Sequence, residues 1–299
     1  MKYLSVGEIA KKWGLSERTV RNYCAKGKIP DVFLMGKTWN IPETAQIPGR
    51  INKRNDAPST LTEVLKAEKS GKVKGGIYHK VQIELTYNSN HIEGSRLTHD
   101  QTRYIYETNT IGPENGAVNV DDIVETANHF KCIDMVIDAA DKLLSEVFIK
   151  QLHLTLKSGT SDSRKDWFAV GKYKKMPNEV GGQSTTPPEQ VAQEIRSLLA
   201  TYNKDKHKTL RELIEFHVAF ETIHPFQDGN GRVGRLILFK ECLRNNIVPF
   251  IIDEELKMFY YRGLHEWKYE QGYLTDTCLA AQDKFKSYLD YFRVPYKET

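Results

Sequence analysis

The chain has 299 residues, 39% hydrophobic and 27% charged, with a formal net charge of +4, the makeup of a soluble globular protein with room for a second, small domain. Cys24, Cys132, Cys242 and Cys278 are far apart and form no C-x-x-C pair, so they fit a reducing compartment and exclude a disulfide framework. No apolar segment resembles a leader or reaches transmembrane length, which excludes a membrane role and predicts a cytoplasmic protein.

Charge is placed unevenly. Residues 1–54 carry eleven lysines and arginines against four acids, so this end suits a polyanion partner. Val6, Ile9, Ala10 and Trp13 recur at helical spacing behind Ser5, and Gly14 closes that helix. Ser16 opens a second helix that turns Val20 and Tyr23/Cys24 inward and leaves Arg18, Arg21, Asn22 and Lys26 outward. Residues 33–41 read as a hairpin or wing turning at Gly36-Lys37. This layout resembles the winged helix-turn-helix of the MerR/excisionase type. The resemblance implies a domain over residues 1–50 that binds DNA through Arg18, Arg21, Asn22 and Lys26.

Pro48-Gly49 and the polar stretch that follows mark a linker at 51–59. Beyond it the period is helical. Ile77, Val81, Leu85 and Asn88 share one face, and so do Ile123, Ala127, Phe130/Lys131, Asp134 and Ile137. Further helices are predicted over 145–157, 188–202, 209–223, 231–245 and 275–292, whereas 167–186 reads as an exposed, extended hairpin. The fold class is all-α, with one β-hairpin in the large domain.

The densest chemistry lies in His224-Pro225-Phe226-Gln227-Asp228-Gly229-Asn230-Gly231-Arg232-Val233-Gly234-Arg235. Gly229, Gly231 and Gly234 satisfy G-x-G-x-x-G, yet the segment feeding them carries Leu213, Phe216/His217, Phe220 and Ile223 at helical spacing, which excludes a dinucleotide fold. H-E-x-x-H is absent around His217 and His224, which excludes a zinc protease of that type. What remains is helix, glycine-rich turn, helix. Backbone N–H groups in such a turn cradle anionic oxygens, aided by the positive end of the second helix. Asp228 is suited to Mg²⁺, Arg232 and Arg235 point one turn apart, and His224 exchanges protons near neutrality.

This run resembles the Fic family pattern H-x-F-x-[DE]-G-N-G-R-x-x-R at every specified position. Leu152-His153, Gly171-Lys172-Tyr173, Pro187-Pro188 and Tyr260-Tyr261 extend the resemblance over roughly residues 60–292. It implies a Fic-type helical domain over 60–299, and an adenylyltransferase that moves AMP from ATP to a Thr, Tyr or Ser hydroxyl of a target protein or of itself. His224 would deprotonate that hydroxyl, and Asp228 would hold Mg²⁺. Gly229, Asn230 and Gly231 would cradle phosphates, while Arg232 and Arg235 would bind the polyphosphate. The 167–186 segment would be a flap on which the target docks as an added strand. Phe226 would anchor the loop in the core. Tyr260 and Tyr261 stay open between an adenine pocket and core packing. Intact Gly231 and Arg235 favour AMP over the γ-phosphoryl transfer of Doc-like kinases.

Ser89-Asn90-His91-Ile92-Glu93-Gly94 resembles the inhibitory motif [ST]-x-x-x-E-[GN] of the same family. It implies an inhibitory helix around 77–93, with Ser89, Glu93 and Gly94 in the motif and Glu93 in a bidentate pair with Arg235. Removal of AMP from a modified protein, and a DNA-binding regulator with an accessory Fic domain, are the competing readings. A homo-oligomer stays open.

Overall fold

The computed structural model describes residues 2–36, 38–48, 60–112 and 117–296. The linker expected at 51–59, Gly49 and the turn residue Lys37 lie outside the described residues. The chain divides into two units, Met1–Ala57 and Pro58–Thr299.

In the first unit, β1 (Tyr3–Ser5) leads into α1 (Val6–Trp13) and α2 (Glu17–Ala25), followed by β2 (Phe33–Met35) and β3 (Thr38–Pro42). Ser5 and Glu8 form a reciprocal capping box at the start of α1, and Gly14 ends it at φ 63°. The Ser16 side chain accepts from the Thr19 N–H to start α2. The sheet is antiparallel in the order β1-β3-β2, with Leu4 opposite Ile41 and Leu34 opposite Trp39. Val6, Ile9, Ala10, Val20, Cys24, Ile29 and Ile41 make its core. Arg18, Arg21, Asn22 and Lys26 are all exposed.

The second unit is helical: α3 (Leu61–Gly71), α4 (Ile77–Ile92), α5 (His99–Thr108), α6 (Val120–Asp138), α7 (Glu146–Lys157), α8 (Pro188–Tyr202), α9 (Leu210–Ile223), α10 (Asn230–Arg244), α11 (Glu254–Glu266) and α12 (Gly272–Phe292). α10 is its axis, with every residue from Asn230 through Leu243 buried and α9, α6, α7 and α4 packed around it. A helix enclosed on all sides must pair its polar side chains internally. Accordingly Lys240 Nζ meets Glu241 Oε1 at 2.7 Å, and Tyr202 donates its hydroxyl to Glu241 Oε2 at 2.9 Å. No described helix is long and apolar enough to cross a membrane.

The hairpin in this unit is much shorter than the sequence suggests. Its strands are β4 (Glu179–Val180) and β5 (Gln183–Ser184), paired Glu179 to Ser184 and Val180 to Gln183. Residues 167–178 are turns rather than strand, and not all are exposed: Phe168 and Lys174 are buried. The prolines and glycines that signalled an extended loop also break strand pairing.

Candidate active site

α9 ends at Ile223 because His224 takes a left-handed conformation, φ 51° and ψ 63°. This is a costly place for a non-glycine residue, on the order of 1–3 kcal/mol, and such strain collects at functional positions. The turn re-aims the chain so that residues 224–229 form a loop capping α10. Gly229 sits at the N-cap with φ 80°, where its lack of a Cβ removes the same strain. Phe226 fixes the loop from below: it is fully buried and stacks on His153 with centroids 3.9 Å apart and planes 6° apart. The Asn230 side chain fixes it from within, accepting from the Phe226 N–H at 2.8 Å and donating to the Phe226 carbonyl at 2.8 Å. With its side chain spent on the loop, Asn230 has its backbone N–H at the helix N-terminus, the group expected to cradle phosphate.

The half-buried His224 imidazole is held by a contact between Nδ1 and the Glu221 carbonyl, 3.3 Å away. Nδ1 therefore donates, and Nε2 carries the free lone pair. Burial pulls the imidazole below its ordinary range; the Glu221 carbonyl opposes this, Lys174 adds to it, and Glu93 and Asp228 oppose it. At neutral pH the ring is a neutral base.

Asp228 lies beside the same loop. Its Oδ2 accepts from Lys157 Nζ at 2.7 Å and from Arg232 Nη2 at 3.3 Å. Burial raises its carboxyl, but Arg232 and Lys157 outweigh burial and hold it at about 2, so it is ionised throughout the neutral range. Among the described residues no group of three or more His, Cys, Asp or Glu side chains gathers to hold a metal. A single ionised, partly open carboxylate still fits Mg²⁺, which takes one or two carboxylates and completes its shell with water and substrate phosphates.

Arg232 is not free to meet a polyphosphate as expected. It is buried, and its guanidinium pairs with Glu125 of α6 as well as Asp228. Glu125 also pairs with Lys157, which reaches Asp162 at 3.4 Å. Two cations and three carboxylates thus interlock on one side of the turn. The sequence reading missed Lys157 and Glu125, whose proximity to Asp228 arises only when α6 and α7 pack on α10.

On the other side Arg235 is held by α4. Its Nε donates to Ser89 Oγ at 3.0 Å, and Nη2 donates to the Ser89 carbonyl at 2.9 Å and to Glu93 Oε1 at 2.7 Å. The expected bidentate carboxylate pair is a single charge-assisted bond from Nη2, with Ser89 taking Nε and sharing Nη2. Gly94, at φ 93°, ends α4 just after the Glu93 C-cap, which lets Glu93 turn inward. Gly231 admits it: a Cβ there would stand 2.3 Å from Glu93 Oε1. Tyr260 is buried, with its hydroxyl 2.7 Å from His217 Nε2, so it is core; the exposed Tyr261 donates to the Ile92 carbonyl at 3.3 Å.

Residues 143–241 match the family model described as Fic/DOC family. The chain is 27% identical over 222 residues to the protein adenylyltransferase Fic of Drosophila mojavensis, a match covering 72% of this chain and 41% of that protein. It is 24% identical over 184 residues to protein adenylyltransferase fic-1 of Caenorhabditis elegans, covering 60% and 35%. The chain thus spans about two fifths of the length of the curated relatives it matches. Among solved structures, a Fic domain containing signaling protein from Bacteroides thetaiotaomicron aligns with TM-score 0.57 and 27% identity over 77% of this chain and 90% of that one. Fic-1 from C. elegans aligns with TM-score 0.61 and 18% identity over 78% and 71%, a likeness of fold. The helical unit has the fold of these Fic structures.

Proposed function

We propose that this chain is a protein adenylyltransferase that transfers AMP from ATP to a hydroxyl of a target protein or of itself, and that Glu93 restrains it. The observation that carries this reading is the placement of a neutral histidine, with its Nε2 free, one loop away from a helix N-terminus whose arginine is held by a carboxylate. Relatives named as adenylyltransferases agree with it.

In this reading His224 Nε2 accepts the proton of the acceptor hydroxyl as its oxygen attacks the α-phosphorus, and pyrophosphate leaves. A positioned general base contributes roughly 10²–10⁴-fold. The N–H groups around Gly229, Asn230 and Gly231 and the positive end of α10 meet the phosphate oxygens. Asp228 would hold Mg²⁺, which when bound neutralises developing phosphate charge. Arg235 takes the distal phosphates once Glu93 leaves it. Arg232, buried against Glu125 and Asp228, orients the carboxylate and adds long-range positive charge. The short hairpin β4–β5 offers its edge to an extended segment of the target.

The test is incubation of the Glu93→Gly form with α-labelled ATP and cell lysate, beside the wild type and a Glu93→Gly/His224→Ala control. Label on protein is expected in the Glu93→Gly form, much less in the wild type and none in the control. Equal labelling of wild type and Glu93→Gly removes the restraint, and labelling that survives loss of His224 removes the mechanism. A second activity rests on the first unit. Exposed Arg18, Arg21 and Asn22 on α2 and Lys26 at its C-cap, in a region rich in positive charge, support an accessory DNA contact of the winged helix-turn-helix kind. Binding of a DNA duplex by residues 1–57, weakening with salt, tests it.

A further inference from the structure

Lys174 is a buried lysine that no step above uses. The residue is 3% exposed, and among the described residues no carboxylate pairs with it. Burying an ammonium without a counter-ion costs several kcal/mol unless every proton finds an acceptor. Here each does: Thr185 Oγ1 at 2.6 Å, Asn178 Oδ1 at 2.7 Å and the Ile223 carbonyl at 3.4 Å. The first two acceptors stand immediately outside β4 and β5, one at each foot of the hairpin. The third is the last residue of α9, next to His224, where the helix presents the negative end of its dipole.

Neighbouring bonds converge on the same seam. The Lys174 N–H donates to the Pro225 carbonyl at 2.9 Å, and Asn178 Nδ2 donates to the Phe226 carbonyl at 3.0 Å. The Met176 N–H donates to Gln227 Oε1 at 3.3 Å, and the Thr185 N–H closes the feet onto the Asn178 carbonyl at 3.3 Å. Strands of two residues cannot fix their own position, since even a full isolated hairpin is marginal in water. Apart from one contact between the Gln183 side chain of β5 and His265 of α11, 3.3 Å apart, the bonds that place β4–β5 relative to His224 lie in this seam.

We propose that Lys174 is a positioning residue, a clamp that binds both feet of the hairpin to the 223–227 segment and so sets where an acceptor chain paired on the hairpin presents its hydroxyl to His224. The assignment deepens the adenylyltransferase reading and, for its link to transfer, rests on it. The clamp has a second, electrostatic consequence. Of the charged groups that act on the His224 ring, Lys174 lowers its proton affinity while Glu93 and Asp228 raise it.

The test compares the full chain with Lys174→Met, which keeps the stem and removes the charge, and with Lys174→Arg. Amide hydrogen exchange is expected to accelerate roughly tenfold or more across 174–186 in the Met form, with α9 and α10 unchanged and partial recovery in the Arg form. The His224 ring, followed by NMR, is expected to titrate at higher pH in the Met form. In the Glu93→Gly background, labelling of lysate proteins falls roughly tenfold while affinity for ATP changes by less than about twofold. Unchanged exchange in 174–186 overturns the clamp, and so does equal loss of ATP affinity and transfer. If the Met form loosens α9 and α10 too, Thr185→Val decides: acceleration confined to the hairpin upholds the clamp, and none overturns it. If the Glu93→Gly parent labels nothing, the adenylyltransferase reading falls while exchange and the His224 titration still judge the clamp.

Discussion

His224 accepts a proton only while its ring is neutral, and its surroundings widen that range. Burial leads in lowering its affinity for a proton, and Glu93 is one of the two carboxylates that oppose this. Protonation removes the base, so the acid limb of transfer by the Glu93→Gly form is expected to fall below the ordinary histidine value near 6.5. Initial rates at saturating ATP across pH 5–8 check this; an acid limb at about 6.5 or above refutes it. Glu221, one turn before, shows the opposite shift. Its Oε1 has no hydrogen-bond partner among the described residues, and burial pushes its carboxyl up to about 8. The unfolded chain ionises this group near 4.5 while the folded one keeps it protonated, so its contribution to stability is lost as pH rises between those values. Glu221→Gln is expected to remove this loss, raising stability at pH 8 relative to pH 5 by about 1–3 kcal/mol compared with the wild type, read by urea unfolding. The sequence made the residues of the twelve-residue run and of the Glu93 motif legible because each sits in a short contiguous pattern. Lys157, Glu125 and Lys174 were not legible: the first two act through partners far away in the chain, Lys174 joins a near loop to distant Ile223, and a lysine in sequence looks the same whether buried or solvated.

At the scale of elements, α4 and α10 meet through one gap. Gly231 leaves the space that Glu93 fills, so Gly231→Ala forces a Cβ to within 2.3 Å of Glu93 Oε1 and must expel it. That substitution is expected to destabilise the wild type by about 1–3 kcal/mol and the Glu93→Gly form by less, since the clashing atom is then gone. A double-mutant cycle by thermal unfolding measures the difference, and additive effects would show that the two side chains do not share the gap. In the adenylyltransferase reading, transfer is expected to stay low in both backgrounds, since the new methyl group would stand where the phosphates bind. Periodicity read most of these elements well: α8 runs Pro188–Tyr202, as the sequence predicts, and α10 begins at Asn230, one residue early. α3, α5 and α11 gave weaker signals. α11 buries only Tyr260 and Gly263, and α5 only Gln101, Thr102 and Ile105, so neither carries a continuous apolar stripe. The hairpin was overread in length because glycine and proline announce a loop without saying how much of it pairs.

Across the whole molecule, the two units keep separate cores and very different titratable interiors. All nine histidines lie beyond residue 57. Three of them, His129, His153 and His217, are buried in the helical unit, and burial foremost holds each at about 3. Below 6.5 the unfolded chain takes up protons that the folded one refuses, so each such histidine costs about 1.4 kcal/mol of stability for every pH unit of further acidification. Three together make a slope that outruns the margin of an ordinary domain within a few pH units. The helical unit is therefore expected to unfold between about pH 5 and pH 4, well before its carboxylates are fully protonated. The first unit has no histidine to drive it and should persist to lower pH. Amide exchange followed by mass spectrometry separates the two: protection across α9 and α10 should vanish while α1, α2 and β3 remain protected. Replacing His129 by Gln, which keeps a polar partner for Thr86 Oγ1, now 2.9 Å from the ring Nδ1, should lower the unfolding pH of the helical unit alone. Simultaneous loss of protection in both units would mean that acid sensitivity does not reside in the buried imidazoles.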